Sequence, residues 1–147
     1  MDKALYRLLL ADDDPDDRIF FADALKELPF AATLSTVNDG VQLMDHLADA
    51  SPDLPDLVFL DLNMPRKSGI ECLSDIKQND LYKDLPVIIF SSSFNPGIVD
   101  LLYQKGAMRY IRKPGDYDQL KKAILEAVSS LENISTHPSR DQFIIQP

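Results

Sequence analysis

Apolar residues follow two different spacings along this chain. Short apolar runs lie at 6–11, 57–60, 86–90 and 108–112, and a weaker run lies at 32–37. Short runs that end at polar or turn-forming residues indicate buried strands. After each run, apolar residues recur every three or four positions, which indicates helices with one buried face. The predicted helices lie at 15–28, 41–48, 70–79, 97–105 and 116–131.

This alternation of strand and helix, five times over, predicts an α/β fold. Such a chain forms a parallel sheet with helices on both faces. Because crossover connections are right-handed, few topologies are available, and five strands suit a flavodoxin-like, doubly wound sheet in the order 2-1-3-4-5. The first, third and fourth strands are the most uniformly apolar, as central strands buried on both faces should be.

The length of the chain suits one domain. Its 147 residues suffice for one hydrophobic core, and we expect a single domain at 1–131 followed by a tail at 132–147 with no room for an output domain. The tail is polar but carries an apolar cluster at 143–145. Two structures are compatible with this: a loosely ordered terminus, or a cluster that docks on its own domain, a second copy or a partner.

Composition excludes several classes of function. The formal net charge of -9 argues against nucleic acid as a partner. No apolar run reaches the length of a membrane span, and the first residues do not resemble a signal peptide. Cys72 is the single cysteine, so no internal disulfide can form. We therefore expect a cytoplasmic protein with no membrane association.

Polar side chains follow four of the five predicted strands. Asp12 and Asp13 follow the first strand, Asp61 the third, Ser91 the fourth and Lys113 the fifth. In open parallel sheets, ligands bind beyond the carboxyl ends of the strands, where the strand order changes direction. We therefore expect these five side chains to meet at one edge of the sheet.

The chemistry of this set suits phosphoryl transfer. Three carboxylates in one crevice repel one another unless a cation compensates, and Mg²⁺ prefers oxygen ligands. A lysine and a hydroxyl beside Mg²⁺ can stabilise a transferring phosphoryl group. Asp61 is the carboxylate best placed as a nucleophile. Each feature alone has a plainer explanation, such as a helix cap, a loop serine or a surface turn, so the prediction depends on their occurring together.

In these motifs the chain resembles the receiver domain of two-component response regulators, over residues 8–131. The motifs are the acidic pair, the segment Leu-Asp-Leu-Asn-Met-Pro at 60–65, Gly69, the hydroxyl of Ser91, and Lys113 followed by Pro114. Tyr110 stands at the position of the family's aromatic switch residue. The segments at 13–17 and 60–69 are similar to those of stand-alone receivers that accompany phytochrome-type histidine kinases.

This resemblance implies a function and a role for each residue. Asp61 would accept a phosphoryl group from a sensor histidine kinase or a histidine phosphotransfer protein. Asp13, Asp61 and the main-chain carbonyl of Asn63 would bind Mg²⁺, with Asp12 acting through water. Lys113 and Ser91 would bind phosphoryl oxygens.

The resemblance also implies a route for the signal. Ser91 would shift on phosphorylation and draw Tyr110 inward. The face made by the fourth helix, fifth strand and fifth helix would then respond to a downstream protein target or to a second copy of the chain.

Two other functions use the same residues. One is a Mg²⁺-dependent phosphohydrolase that resembles the haloacid dehalogenases, but these carry a second Asp where this chain has Asn63. The other is a receiver that no longer accepts phosphate and acts as a scaffold, which the retained Asp61 and Lys113 disfavour. Nucleotide binding is also disfavoured, because no glycine-rich loop follows the first strand.

Overall fold

The computed structural model describes residues 3–133 and 138–145. The strands are β1 (Tyr6–Ala11), β2 (Ala32–Val37), β3 (Leu57–Leu60), β4 (Val87–Ser91), β5 (Arg109–Arg112) and β6 (Ile144–Ile145). The helices are α1 (Pro15–Lys26), α2 (Gly40–Ala50), α3 (Gly69–Gln78), α4 (Pro96–Gln104), α5 (Tyr117–Ser129) and the short α6 (Arg140–Phe143). A 3-10 turn at Ser130–Asn133 extends α5.

All strands pair in parallel in one sheet, in the order β2-β1-β3-β4-β5-β6. The predicted doubly wound order 2-1-3-4-5 is therefore confirmed, with one further strand at the β5 edge. The three strands that looked most apolar in sequence occupy interior positions, and β3 and β4 are buried along their whole length.

Helices cover both faces of the sheet. Phe21 of α1 and Ile124 of α5 belong to one buried apolar layer, with Phe59 of β3. Leu47 of α2, together with buried residues of α3 and α4, belongs to the layer on the opposite face. Every loop that follows a strand thus lies at one edge of the sheet, which is where the candidate residues were expected. Within the described residues, no helix combines the length and the apolar character that crossing a lipid bilayer requires.

Local sequence fixes where the helices near this edge begin. The Asp14 side chain caps α1 by accepting from the Asp16 amide, and Pro15 occupies the first helical turn. Ser68 and Glu71 form a reciprocal capping box at the start of α3.

The end of α4 is also determined by local sequence. Gly106 follows the C-cap with φ of 98°, a left-handed conformation that suits glycine.

The buried face of α2 differs in part from the one that its apolar spacing predicts, which is Val41, Met44, Leu47 and Ala48. The helix buries Gly40, Leu43 and Leu47, packs Met44 against the core and leaves Ala48 exposed. The cause is a close approach at Gly40, where an added Cβ would lie 2.2 Å from the Lys67 carbonyl oxygen. That approach sets the rotation of the helix, so positions 40, 43 and 47 face inward.

The apolar cluster of the tail docks on its own domain. We use "docked tail" for residues 138–145. Ile144 and Ile145 pair with Tyr110 and Ile111 of β5, and Phe143 is completely buried. Of the two alternatives, the described part of the tail therefore follows the second. The division of the chain at residue 131 stays a prediction, and residues 134–137 and 146–147 lie outside the described residues.

Candidate functional site

Backbone hydrogen bonds bring the candidate residues to one edge of the sheet. The Asp12 amide donates to the Val37 carbonyl at 3.1 Å, and the Asp61 amide donates to the Ala11 carbonyl at 3.0 Å. On the far side, the Lys113 amide donates to the Ser91 carbonyl at 2.9 Å. These bonds continue the pairing of the parallel strands past the strand ends. The side chains that follow the strands therefore lie at the same edge of the sheet.

Three carboxylates form a compact cluster at this edge. Asp12, Asp13 and Asp61 each offer an oxygen, and these oxygens lie within 4.8 Å of one another. Asp12 is fully buried and Asp61 is 5% exposed, whereas Asp13 faces solvent. Packing three carboxylates this closely is unfavourable without a compensating positive charge.

Asp12 is the carboxylate of this cluster with the least compensated charge. Its Oδ2 is buried and has no hydrogen-bond partner among the described residues. Lys113 Nζ lies 2.8 Å away, an ion-pair distance, but the approach does not meet hydrogen-bond geometry. Burial raises the pKa of the Asp12 carboxyl above its ordinary value, and the Lys113 ammonium opposes this only in part. An oxygen-liganded divalent cation fits this donor set.

Lys113 places a positive charge beside the carboxylates of the site. Its Nζ lies 2.8 Å from Asp12, 2.9 Å from Asp17 and 3.2 Å from Asp61, in each case measured to Oδ2. It also stands 5.5 Å above the centre of the Phe90 ring. Burial disfavours the ammonium, but these carboxylates more than offset it and raise the pKa of Lys113. The lysine is therefore charged at neutral pH.

The loop after β3 holds Asp61 in place. Its Oδ1 faces the Asn63 amide at 3.4 Å, and the Gly69 amide donates to the Leu62 carbonyl at 2.9 Å. An added Cβ at Gly69 would lie 2.1 Å from the Asp61 carbonyl oxygen. The start of α3 can therefore approach the Asp61 backbone only because residue 69 is glycine. The metal-binding role of the Asn63 carbonyl stays a prediction.

Ser91 and Tyr110 both contact Ser93. Ser91 is buried, and its hydroxyl lies 3.0 Å from the hydroxyl of Ser93. The Tyr110 hydroxyl donates to the Ser93 carbonyl, and its ring contacts Phe94 and Phe143. Burial raises the pKa of Tyr110, so it stays a neutral donor. Tyr110 is 1% exposed, and its switching role stays a prediction.

Three residues of this region were not found from the sequence. Asp17 contacts Lys113, Ser93 contacts Ser91, and Arg18 Nη1 donates to the Asp12 carbonyl at 2.7 Å. In the sequence, Asp17 is fully explained as a favourable negative charge in the first turn of α1. A usable signal did exist, because the first turn of a helix that follows a strand lies at the carboxyl edge of the sheet.

Comparisons with known proteins match most of the chain. The family model described as response regulator receiver domain matches residues 8–125. Response regulator Rcp1 of Synechocystis sp. (strain ATCC 27184 / PCC 6803 / Kazusa) is 32% identical over 122 residues, covering 80% of this chain and 82% of that protein. The probable C4-dicarboxylate response regulator DctR of Bacillus subtilis (strain 168) is 31% identical over 122 residues, and this chain spans only 50% of its length.

Solved structures agree in fold. The phosphorylated cyanobacterial phytochrome response regulator RcpA superposes with a TM-score of 0.80 at 30% identity, covering 92% of this chain and 100% of that one. The Mn²⁺-bound form of Rcp1 gives a TM-score of 0.73 at 29% identity, covering 91% and 99%. Since the family model also matches most of its length, this chain belongs to the response regulator receiver domain family.

Proposed function

We propose that this protein is a phosphoacceptor in a phosphorelay, and that Asp61 takes the phosphoryl group from a sensor histidine kinase or a histidine phosphotransfer protein. The observation that carries the proposal is the position of Asp61, which clusters with the acidic pair and lies 3.2 Å from the Lys113 ammonium. An Asp61 oxygen would attack the phosphorus atom of the donor phosphohistidine. The nitrogen–phosphorus bond would break, and its electron pair would return to the imidazole nitrogen.

Mg²⁺ is the cation that we propose for the site. Asp13, Asp61 and the Asn63 carbonyl would bind it directly and Asp12 through water, and the ion would neutralise charge shared by the carboxylate and the phosphoryl oxygens. The compact carboxylate cluster and the unpartnered Asp12 oxygen support this proposal. The existence of a Mn²⁺-bound form of the similar protein Rcp1 supports a divalent metal in general.

Lys113 and Ser91 would hold the phosphoryl oxygens. The ammonium already lies 3.2 Å from Asp61 Oδ2, so a group bonded to that carboxylate arrives within its reach. The Ser91 hydroxyl is engaged by Ser93, and it would exchange this partner for a phosphoryl oxygen. A phosphoryl group brings about -1.5 to -2 units of charge and three acceptor oxygens, which supply the contacts for both residues.

We propose that the signal leaves through the face made by α4, β5 and α5. Movement of Ser91 would disturb the Ser93 carbonyl to which Tyr110 donates, and Tyr110 lies on β5. A complete switch, from 1:99 to 99:1, needs about 5.5 kcal/mol of differential stabilisation, which several charge-assisted contacts can provide. Because β6 pairs with β5, a downstream protein target or a second copy would meet the docked tail on this face.

The remaining parts of the proposal concern what the protein does not do. We propose a signalling module that catalyses only its own phosphorylation and dephosphorylation, not a phosphohydrolase, because Asn63 cannot act as the general acid that such enzymes place there. We propose that it does not bind nucleic acid, in keeping with its net charge of -9. A cytoplasmic location stays a prediction.

Beryllofluoride binding tests the central claim. With Mg²⁺ present, wild-type protein should form a saturable complex with beryllofluoride, and a small phosphodonor should give an increase in mass of one phosphoryl group. Asp61→Asn keeps the shape of the side chain but removes the nucleophile, so it should do neither. If wild type and Asp61→Asn behave alike, the phosphoacceptor function is wrong.

A further inference from the structure

Lys113 has a carboxylate partner outside the predicted set. Its Nζ donates to Asp17 Oδ2 at 2.9 Å, which is 0.1 Å longer than its distance to Asp12 Oδ2 and shorter than its 3.2 Å distance to Asp61 Oδ2. An ammonium carries three N–H donors. Two of these donors form hydrogen bonds with Asp17 and Asp61, and Asp12 Oδ2 lies within ion-pair distance of the same ammonium.

The three partners differ in what else they are proposed to do. Under the proposed function, Asp12 and Asp61 would turn toward Mg²⁺, and one Asp61 oxygen would become bonded to phosphorus. Asp17 lies in the first turn of α1 and has neither task. It is therefore the carboxylate that can keep its contact with Lys113 while a phosphoryl group is bound.

We propose that Asp17 is a positioning residue that holds the Lys113 ammonium at the edge of the sheet, ready to donate to phosphoryl oxygens. A lysine side chain has four flexible methylene groups, and a second fixed contact reduces the freedom lost when it binds a ligand. This inference deepens the proposed function and depends on it.

An opposing effect acts on the same residue. The Asp17 carboxylate also repels a phosphoryl group, so its removal could in principle tighten binding. The Asp17 side chain is 37% exposed, so water and salt screen the repulsion between its carboxylate and the phosphoryl group. Its contact with Nζ is direct, and the Lys113 side chain is only 12% exposed. The holding effect should therefore exceed the repulsion.

Beryllofluoride titrations of three variants test this. Asp17→Ala should weaken the affinity by about three- to tenfold, the size expected for losing the order of one long side chain, while Mg²⁺ affinity changes less than twofold. Asp17→Glu restores the carboxylate and should recover most of the loss. Asp16→Ala is the matched control, because Asp16 is also acidic and in the first turn of α1. It should stay within twofold of wild type.

Each other outcome has a distinct meaning. An unchanged or tighter complex in Asp17→Ala overturns the inference. Equal weakening in Asp16→Ala and Asp17→Ala, or a parallel loss of Mg²⁺ affinity and melting temperature, assigns the effect to the helix and also overturns it. If wild-type protein itself forms no beryllofluoride complex, the proposed function fails rather than this inference alone.

Discussion

Phe143 is the side chain on which the docked tail depends most. It is completely buried, and its ring centre lies 5.2 Å from that of Tyr103 and 6.5 Å from that of Tyr110. We predict that Phe143→Ala releases the docked tail from β5 without unfolding the domain. The reason is that the tail joins the sheet at its edge through a strand of only two residues, Ile144–Ile145.

The magnitude follows from comparing the contacts that are lost with those that remain. Replacing a buried Phe by Ala removes about 3–5 kcal/mol. Besides the backbone pairing of β6 with β5, the polar contacts of the docked tail include side-chain hydrogen bonds from Tyr103 to the Pro138 carbonyl and from Arg109 to the Phe143 carbonyl, each contributing about 1 kcal/mol. The exposed ion pair of Arg140 with Asp100 adds about 0.2–1 kcal/mol.

Ile145 is the other buried anchor, and its burial contributes about 1.5–3 kcal/mol. A loss of about 3 kcal/mol should open the docked state about a hundredfold more often.

Hydrogen exchange measured by mass spectrometry checks this prediction. Peptides that cover 138–145 should lose about two orders of magnitude of protection in Phe143→Ala, and peptides from β1 and β3 should keep theirs. Gln142→Ala is the matched control, because that neighbouring side chain is exposed. Unchanged protection of the tail in Phe143→Ala, or equal loss throughout the sheet, would refute the reasoning.

Two further predictions concern the site itself. The raised pKa of Asp12 means that the folded protein holds this proton more tightly than the unfolded chain, so metal-free protein should gain stability as pH falls through that raised pKa. Thermal unfolding with a chelator should show this gain, and Asp12→Asn should remove it while abolishing stabilisation by Mg²⁺. Gly69→Ala should destabilise the protein by at least about 1–3 kcal/mol, because its Cβ would meet the Asp61 carbonyl oxygen. Gly115→Ala, with nothing within 4 Å of an added Cβ, should be neutral in the same denaturant titrations.

Local signals in the sequence account for most of the framework. The first two strands begin and end where the apolar runs predict, at Tyr6–Ala11 and Ala32–Val37. Their ends are defined by residues that cap the following helices, such as Asp14 and Asp39. Because the site lies at strand ends, correct strands place Asp61 and Lys113 correctly as well.

What the sequence could not predict depends on contacts between distant elements. The rotation of α2 follows from the approach of Gly40 to Lys67, 27 positions away in the chain, which no helical spacing records. An acidic residue is favoured in the first turn of a helix whether or not it contacts a lysine, so the position of Asp17 in the sequence does not indicate its contact with Lys113. The apolar cluster at 143–145 allowed several docking partners, and only the unpaired edge of β5 selects among them.

The four residues of β5 connect the proposed site to the docked tail. At its carboxyl end, the Lys113 amide donates to the Ser91 carbonyl, so the two residues proposed to bind phosphoryl oxygens share a backbone bond. Two residues before the strand ends, Tyr110 donates to Ser93 and packs against Phe143. Under the proposed function, a shift of Ser91 therefore moves a group that touches the tail's main apolar anchor. Such coupling is reciprocal. Release of the tail should therefore change the affinity for the phosphoryl group by the same factor by which that group changes the docking equilibrium of the tail.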